Sequence, residues 1–438
     1  MVWRITKFMK RTISVVGLGF IGLPLSLSFC EKGLTVIGMD VDRRKIEQLL
    51  QGHTSIHEDY KEESLSSILQ RHLQNGNFLP TFEWTDTRDS QAFIVTVGIP
   101  VSLDGQLNTA PLYHAMEDLG QAIKPGDLVL IRSTLVPGMM EEQLIPRLRV
   151  TSGLEPGIDF HVAYAAERVA EGRAMYEFQT LDIVLGGYTE ACALAAKDLL
   201  SELTSGHLHI TTLAVAESVK VVENVQRDVN IALAQQLARY CEARNMNVYE
   251  LIKMANTHPR VNLLEPGIGV GGYCIPNAYH YLDASLQDEN ALPLFRLARQ
   301  INAYVPNYLM DRLAGELMDI GKPIANSRIA VLGLGMKDGS NDTRNSPAVD
   351  CAELLISYGA NLKAFDPTVT DFLPYQVASL EECLQEADAV LVGTWQPDFT
   401  MIDWEDKLPL CKSDVVFVDL KDRLTAYTAQ QPSEVKNR

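Results

Sequence analysis

The sequence predicts an α/β protein with two doubly wound domains, one at each end of the chain, and a helical region between them. Two β-branched runs, 13–17 and 328–335, end in glycines, and each is followed about one helix later by a second run, at 34–40 and 361–367. A strand, a helix and a parallel strand make a βαβ unit, and repeated units build a doubly wound sheet. Further apolar runs supply the remaining predicted strands, at 92–97, 128–132, 160–165, 389–393 and 415–419.

The middle of the chain has a different pattern. Residues 214–244 contain no glycine or proline and carry apolar residues at steps of three and four, which predicts one long helix. More helix is predicted at 249–255 and 292–317. We therefore predict three parts: an N-terminal domain at 1–212, a central helical domain at 213–320 and a C-terminal domain at 321–438.

Composition narrows the function. The 438 residues carry a net charge of −18, which disfavours a nucleic-acid binder or a protein of anionic membranes, because both need basic surface. Seven cysteines without a CxxC pair indicate neither a disulfide framework nor a zinc site, so we expect no metal and a reducing, cytoplasmic location. Basic residues 1–11 and the uncharged run 12–30 superficially resemble a signal peptide or membrane span, but glycines and a proline interrupt that run.

The glycines of that run form a GxGxxG motif between a predicted strand and a predicted helix. Gly17 permits a tight turn, Gly19 lets the backbone approach a pyrophosphate, and Gly22 lets helix and strand pack closely. Asp40 ends the next predicted strand, where a carboxylate can hold the adenosine ribose. The motif therefore predicts dinucleotide binding, and the carboxylate of Asp40 favours NAD over NADP. The nearby cations Arg43 and Arg44 weaken that preference for NAD.

The second copy of the turn lacks the third glycine. Gly333 and Gly335 are followed by Met336 and Lys337, which predicts a nucleotide-type fold with an altered ligand preference. Lys337 and Arg344 are either phosphate contacts or solvated surface charges.

Two features of the middle region also allow two interpretations. A polar stripe on the long helix, formed by Glu217, Lys220, Asn224 and Arg227, is either functional or a solvated face. Cys274 follows a run of four glycines, so it is either an exposed nucleophile or a buried structural cysteine.

Several motifs in order resemble those of the UDP-glucose/GDP-mannose dehydrogenase family, in particular its UDP-N-acetylmannosamine branch. The motifs are GLGFIGLP at 17–24, RSTLVPG at 132–138, ERVAEG at 167–172, AESVKVVENVQRDVNIALA at 216–234, HPRVN at 258–262, GVGGYCIP at 269–276 and SPA at 346–348. The resemblance implies two Rossmann-like domains, a helical region that forms a homodimer, and a C-terminal domain that holds the nucleotide. It also implies a place in polysaccharide biosynthesis.

The reaction implied by the resemblance uses two NAD to oxidise the C6 alcohol of a nucleotide sugar to a carboxylate. Cys274 would trap the aldehyde as a thiohemiacetal, which loses a second hydride to become a thioester. Lys220 and Asn224 would bind the C6 oxygen, while Glu167 and Thr134 would handle the hydrolytic water. Phe20 and Ile21 would join the cofactor turn, and Thr134 would also face the cofactor. The remaining substrate contacts would be Arg168, Gly271, Lys337, Arg344 and Arg260, the last reaching across the dimer.

The sequence departs from the family pattern at the site itself. The carboxylate expected four residues after the cysteine is Ala278 here, and Tyr273, Ile268, Ala166 and the segment 97–100 also differ. Three hypotheses therefore stay open. The chain is a four-electron nucleotide-sugar dehydrogenase, a relative that stops early or takes another nucleotide substrate, or a non-catalytic nucleotide-binding regulator.

Overall fold

The structure is a computed structural model that describes residues 11–102, 105–170, 172–288, 290–421 and 423–424. These residues form two compact units. The N-terminal unit extends to Glu223 and includes His280–Gln287, and the C-terminal unit contains Asn224–Tyr279 and the chain from Asp288 onward. The predicted division into three domains at 212 and 320 stays a prediction.

The N-terminal unit contains a sheet whose described strands have the order β10-β9-β8-β7-β6-β1-β2-β5. All neighbouring pairs are parallel except β8 with β9, and β3 pairs with β4 as a separate short hairpin. The strands are β1 (Thr12–Val16), β2 (Thr35–Met39), β3 (Asp59–Tyr60), β4 (Glu63–Ser64), β5 (Phe78–Thr81), β6 (Ala92–Val95), β7 (Leu128–Ile131), β8 (His161–Tyr164), β9 (Ile183–Gly187) and β10 (Leu208–Thr211).

Helices connect these strands, as a parallel sheet requires. They are α1 (Gly22–Glu31), α2 (Arg43–Leu50), α3 (Leu65–Gln74), α4 (Ala110–Ala122), α5 (Ile145–Ser152), α6 (Ala174–Thr180), α7 (Glu190–Leu203) and α8 (Leu213–Ala243), which continues into the C-terminal unit. The uncharged run 12–30 thus forms β1 and most of α1, and most of its apolar side chains lie in the main core of this unit. Residues 1–10 of the signal-like segment lie outside the described residues.

The C-terminal unit contains a parallel sheet whose described strands have the order β12-β11-β13-β14. Its helices are α9 (Val248–Ala255), α10 (Cys274–Ala284, which ends in the N-terminal unit), α11 (Pro293–Asp319), α12 (Pro347–Ser357), α13 (Leu380–Leu384) and α14 (Trp404–Lys407). Its strands are β11 (Arg328–Leu332), β12 (Asn361–Phe365), β13 (Ala389–Val392) and β14 (Val416–Val418).

The predicted fold class is confirmed, with one mainly parallel sheet in each unit and long helices between them in the chain. The helices predicted at 214–244, 249–255 and 292–317 correspond to α8, α9 and α11. In each sheet the first strand of the repeat, β1 or β11, lies between strands that continue in opposite directions along the sheet. The carboxyl ends of strands at such a reversal form a crevice that binds ligands in folds of this class.

Candidate functional site

The glycine turn between β1 and α1 is shaped for close backbone contact. Gly17 has a φ of +93°, which favours glycine, and a Cβ on Gly22 would overlap the Gly17 carbonyl oxygen. A Cβ on Gly19 would meet nothing within 4 Å, so the space beside that residue is open. Thr96 directly follows β6, the neighbour of β1, and its hydroxyl donates a hydrogen bond of 2.6 Å to the Gly17 carbonyl. This bond holds the glycine turn against the adjacent strand.

The start of α1 is free to receive an anion. No side chain caps this helix and no acidic residue lies in its first turn, so the positive end of its dipole is not neutralised. Phe20 is exposed and Ile21 is half-buried in this turn. The open backbone at Gly19 and the uncapped helix fit the pyrophosphate of a dinucleotide.

Asp40 lies where the motif places it, directly after β2. It is buried and accepts hydrogen bonds from the N–H groups of Leu18 and Asp42, at 2.8 and 3.0 Å, and from the Lys45 ammonium at 2.8 Å. A carboxylate has about four lone-pair sites, so Asp40 retains capacity for a ribose hydroxyl. Arg43 stacks over the Phe82 ring, at 4.5 Å from its centroid.

Thr134 and Glu167 follow neighbouring strands of the same sheet. Thr134 is half-buried beyond β7, and Glu167 is buried beyond β8. One Glu167 oxygen accepts the N–H groups of Arg168 and Val169, at 2.7 and 3.1 Å, and the other pairs with the Arg132 guanidinium. The resemblance assigned Glu167 to the hydrolytic water, and among the described residues one of its oxygens has a single donor.

Arg132 was not identified by the sequence analysis as a site residue. It is only 2% exposed, and within the described part of the chain its Nε and Nη1 atoms have no hydrogen-bond partner. A buried guanidinium with unsatisfied donors costs free energy unless its charge is compensated, and here Glu167 supplies the compensating charge. The signal was an arginine at the end of an apolar strand run, in RSTLVPG at 132–138.

The polar stripe of α8 is not a solvated face along its whole length. Glu217 and Asn224 are buried, Lys220 is half-buried and Arg227 is exposed. Glu217 accepts hydrogen bonds from the N–H groups of Gly138 and Met140, at 3.1 and 2.8 Å. Burial raises the pKa of Glu217 to about 7, although these two bonds oppose the increase.

Asp228 continues the stripe into the C-terminal unit. It is buried, pairs with Arg299 at 2.9 Å, and accepts a hydrogen bond of 2.7 Å from the side-chain amide of Asn302. Burial raises the pKa of Asp228, and Arg299 and Asn302 counteract this. The cluster joins α8 to α11 within this unit.

Cys274 lies at the first position of α10 and is the one exposed cysteine of seven, all of which are free thiols. This position contradicts the interpretation of a buried structural cysteine. The glycine run before it is anchored in the C-terminal unit. Ile268 lies in the core around α11, and the Gln235 side-chain amide donates a hydrogen bond of 2.8 Å to the Gly267 carbonyl. Ala278, one turn after Cys274, is buried.

Gly271 belongs to this run and lies against residues 336, 345 and 347 of the C-terminal unit. The exposed predicted phosphate contacts, Lys337 and Arg344, are in the same segment of that unit. Arg344 pairs with Asp342 at 2.6 Å. Arg260 is also exposed, and Arg168 pairs with Glu223 at 2.6 Å.

The N-terminal unit thus carries the cofactor turn with Thr134, Glu167, Arg168 and Lys220, and the C-terminal unit carries Asn224, Arg260, Gly271, Cys274, Lys337 and Arg344. No group of three or more His, Cys, Asp or Glu residues within the described ranges could hold a metal ion. Nor does that part of the chain include a helix with the length and apolar character needed to cross a bilayer.

Comparisons with known proteins agree with this geometry. Models of the NAD binding, central and UDP binding domains of the UDP-glucose/GDP-mannose dehydrogenase family match residues 11–204, 214–304 and 330–426. The chain is 36% identical over 393 residues to a UDP-N-acetyl-D-mannosamine dehydrogenase of Pyrococcus horikoshii, covering 90% of this chain and 91% of that one.

Solved structures show the same likeness. A UDP-D-ManNAc dehydrogenase structure from Pyrococcus horikoshii has a TM-score of 0.85 at 34% identity, covering 92% of this chain and 94% of that one. The UDP-N-acetyl-mannosamine dehydrogenase Cap5O from S. aureus has a TM-score of 0.82 at 29% identity, with 94% and 95% covered. The chain therefore belongs to the UDP-glucose/GDP-mannose dehydrogenase family and is an NAD-dependent oxidoreductase that acts on the CH–OH group of a nucleotide sugar.

Proposed function

We propose that this enzyme oxidises the C6 alcohol of UDP-N-acetylmannosamine, or a closely similar UDP-sugar, to the uronic acid. The observation that carries the proposal is Cys274: it is the single exposed thiol, and it begins a helix one residue after the glycine run. An exposed thiol at the start of a helix is accessible to a substrate carbon, as nucleophilic addition requires. The sugar is inferred from relatives that bear this name at 31–36% identity.

The family resemblance implies the following steps. Gly17, Gly19 and Asp40 would hold NAD, which would supply the hydride acceptor for two oxidations at C6, and each oxidation would also release one hydroxyl proton to solvent. The Cys274 sulfur adds to the aldehyde carbon formed by the first oxidation, giving a thiohemiacetal that is held on the protein. Loss of the second hydride gives a thioester, and water then cleaves the carbon–sulfur bond to release the carboxylate and the thiol.

Lys220 and Asn224 have the chemistry to stabilise the oxygen. They lie four residues apart on α8, one helical turn, so that a cationic donor and an amide donor lie on one face. Preorganised donors aimed at a developing oxyanion contribute strongly to catalysis. Thr134 and Glu167 supply a hydroxyl and a carboxylate for the hydrolytic water.

The other assignments belong to the same proposal. Lys337, Arg344 and Gly271 would contact the nucleotide and its sugar, Arg168 would lie at the substrate, and Arg260 would reach the site of a second copy in a homodimer. We place the reaction in the cytoplasm and its product in polysaccharide biosynthesis.

A second candidate stays open because of Ala278. A buried methyl group stands where the family has a carboxylate, so the enzyme lacks one acid–base group one turn from Cys274. This favours a relative that stops at partial oxidation or takes a different nucleotide substrate. A non-catalytic regulator is disfavoured, since Cys274, Lys220, Asn224, Glu167 and Thr134 are all retained.

The proposal is tested by a substrate comparison with Cys274→Ser as the matched variant. UDP-N-acetylmannosamine should reduce NAD at least about tenfold faster than UDP-glucose or GDP-mannose, the discrimination expected of a polar substituent that the site binds. Cys274→Ser should release carboxylate more slowly than the parent enzyme, because the serine hydroxyl is a poor nucleophile. Carboxylate formation by this variant at the parent's rate would exclude the thiol mechanism.

A further inference from the structure

The glycine turn before Cys274 lies against one short segment of the C-terminal unit. A Cβ on Gly271 would come within 2.6 Å of the Asn345 carbonyl oxygen and of Pro347 Cδ, and a Cβ on Gly272 would overlap the Met336 sulfur. The Asn345 side-chain amide donates a hydrogen bond of 3.3 Å to the Gly272 carbonyl. Side chains at Gly271 and Gly272 would therefore collide with Met336, Asn345 or Pro347, and the left-handed φ of Gly272, +76°, also favours glycine.

The same segment is closed into a compact loop. The Met336 N–H donates to the Asp342 carbonyl at 2.7 Å, and the Ser346 hydroxyl donates to the Gly335 carbonyl at 2.9 Å. Asn345 has a left-handed φ of +48°, which turns the chain into α12. Displacement of either end of this loop would therefore displace the other.

The loop also carries the two cations assigned to the nucleotide. Lys337 follows Met336 directly and Arg344 precedes Asn345 directly, so each predicted phosphate contact is the chain neighbour of a residue that touches the cysteine turn. A phosphate bound between Lys337 and Arg344 would pull on both ends of the loop.

We propose that Met336 and Asn345 are positioning residues that seat the turn carrying Cys274, so that a nucleotide bound beside them determines how the thiol is presented. This rests on the proposed nucleotide contacts of Lys337 and Arg344. Occupied, the loop holds Gly271 and Gly272 in one position and keeps the sulfur where a substrate carbon would meet it. Empty, the loop leaves the turn less constrained and the thiol samples more arrangements.

Alkylation of the native protein by iodoacetamide tests this without using the enzymatic reaction. The other six cysteines are buried, so the first mass increment reports Cys274, and peptide mapping verifies its position. UDP alone is the probe, because it lacks the substrate's hexose, which could itself cover the sulfur. Asn345→Ala and Met336→Ala should alkylate about fivefold faster than the parent, the effect expected for one lost hydrogen bond or contact.

Saturating UDP should slow alkylation of the parent and leave both variants unchanged, whereas Met336→Leu should behave as the parent does. Asn326→Ala is the matched control, because Asn326 also has a left-handed φ, +67°, in the same unit. If Asn345→Ala and Met336→Ala alkylate at the rate of Asn326→Ala, the proposed positioning role of Asn345 and Met336 is overturned. If calorimetry detects UDP binding but UDP does not change the alkylation rate of the parent, the proposed coupling between the bound nucleotide and Cys274 is overturned. If UDP does not bind, the assignment of Lys337 and Arg344 to the nucleotide fails. The alkylation rates without UDP still decide whether Met336 and Asn345 position the cysteine turn.

Discussion

Asp40 accepts a hydrogen bond from the main-chain N–H of Leu18, at 2.8 Å, and this bond joins the end of β2 to the glycine turn. The C-terminal unit repeats the arrangement, since Asp366 accepts the N–H of Leu334 at the same distance. Each carboxylate thus fixes the turn of its own βαβ unit. In the N-terminal unit the Lys45 ammonium also pairs with Asp40, at 2.8 Å.

This arrangement predicts the cofactor preference. A 2′-phosphate beside Asp40 would be repelled, so NAD should bind better than NADP, and Asp40→Ala should narrow the gap by about tenfold, or ~1.4 kcal/mol. Affinities for both cofactors can be measured by fluorescence titration. Asp366→Ala is the control, and it should leave the ratio unchanged. A preference of the unmodified enzyme for NADP would contradict the role of Asp40.

Glu217 predicts a pH dependence of stability. Its folded pKa of about 7 lies above the unfolded value of 4.5, so the stability that it contributes is fully present below about pH 4.5 and is lost as pH rises through 7. The loss is on the order of 3 kcal/mol, at about 1.4 kcal/mol per pKa unit. Urea unfolding at pH 5 and pH 8 measures it.

Glu217→Gln should remove that part of the pH dependence, because an amide does not ionise. Glu223→Gln, on the same helix but half-exposed, should retain it. An unchanged pH dependence in Glu217→Gln would show that other groups cause it.

Exposed apolar residues on α8 predict a homodimer. Val215, Val222, Leu233 and Tyr240 are about half exposed there. Burying such a face against a second copy removes apolar surface from water. Light scattering should report at least twice 48.6 kDa, and Leu233→Glu should lower that mass. If the parent protein is a monomer at micromolar concentration, Arg260 cannot reach the site of a second copy as proposed.

The role of Arg260 predicts complementation between subunits. Arg260→Ala and Cys274→Ala should each be inactive alone, yet a reassembled equal mixture should regain about a quarter of the parent's activity, since half of the dimers contain one intact site. No recovery, in a mixture shown by mass spectrometry to contain mixed dimers, would place Arg260 within its own subunit.

Ala278 predicts slow cleavage of the thioester. A positioned acid–base group is worth about 10²–10⁴ in rate, so its absence makes hydrolysis the vulnerable step. Intact mass should detect an adduct on Cys274 when enzyme, NAD and substrate are mixed. Ala278→Asp should raise steady-state turnover without changing the first burst of NADH. If no adduct accumulates and the variant is no faster, the site has been rebuilt for another substrate.

Much of the fold could be predicted from the sequence, because its signals are local. The glycine turns at Gly17 and Gly333 and the long helix α8 depend on spacing along the chain, and they are found where predicted. The two-residue strands β3 and β4 were not predicted, and neither were β5, β9 and β10. Pro80 interrupts β5, β9 ends in two glycines, and two of the four residues of β10 are exposed, so none shows a clear apolar run.

The site was less predictable, because burial is set by tertiary packing. Glu217 and Arg227 have the same spacing signal on α8, yet one is buried and the other exposed. Arg132 ends an apolar strand run, but its partner Glu167 is distant in sequence, so no local pattern indicates that the two side chains pair. The contacts of Met336 and Asn345 with the cysteine turn likewise connect segments more than sixty residues apart.

The number of NADH formed per UDP-N-acetylmannosamine consumed tests the central claim most directly. With limiting sugar nucleotide and excess NAD, the count should be two, because Cys274 holds the aldehyde for a second oxidation. Absorbance gives the NADH and chromatography gives the uronic acid. A count of one, with free aldehyde as the product, or a count of zero despite bound substrate, would contradict the four-electron account.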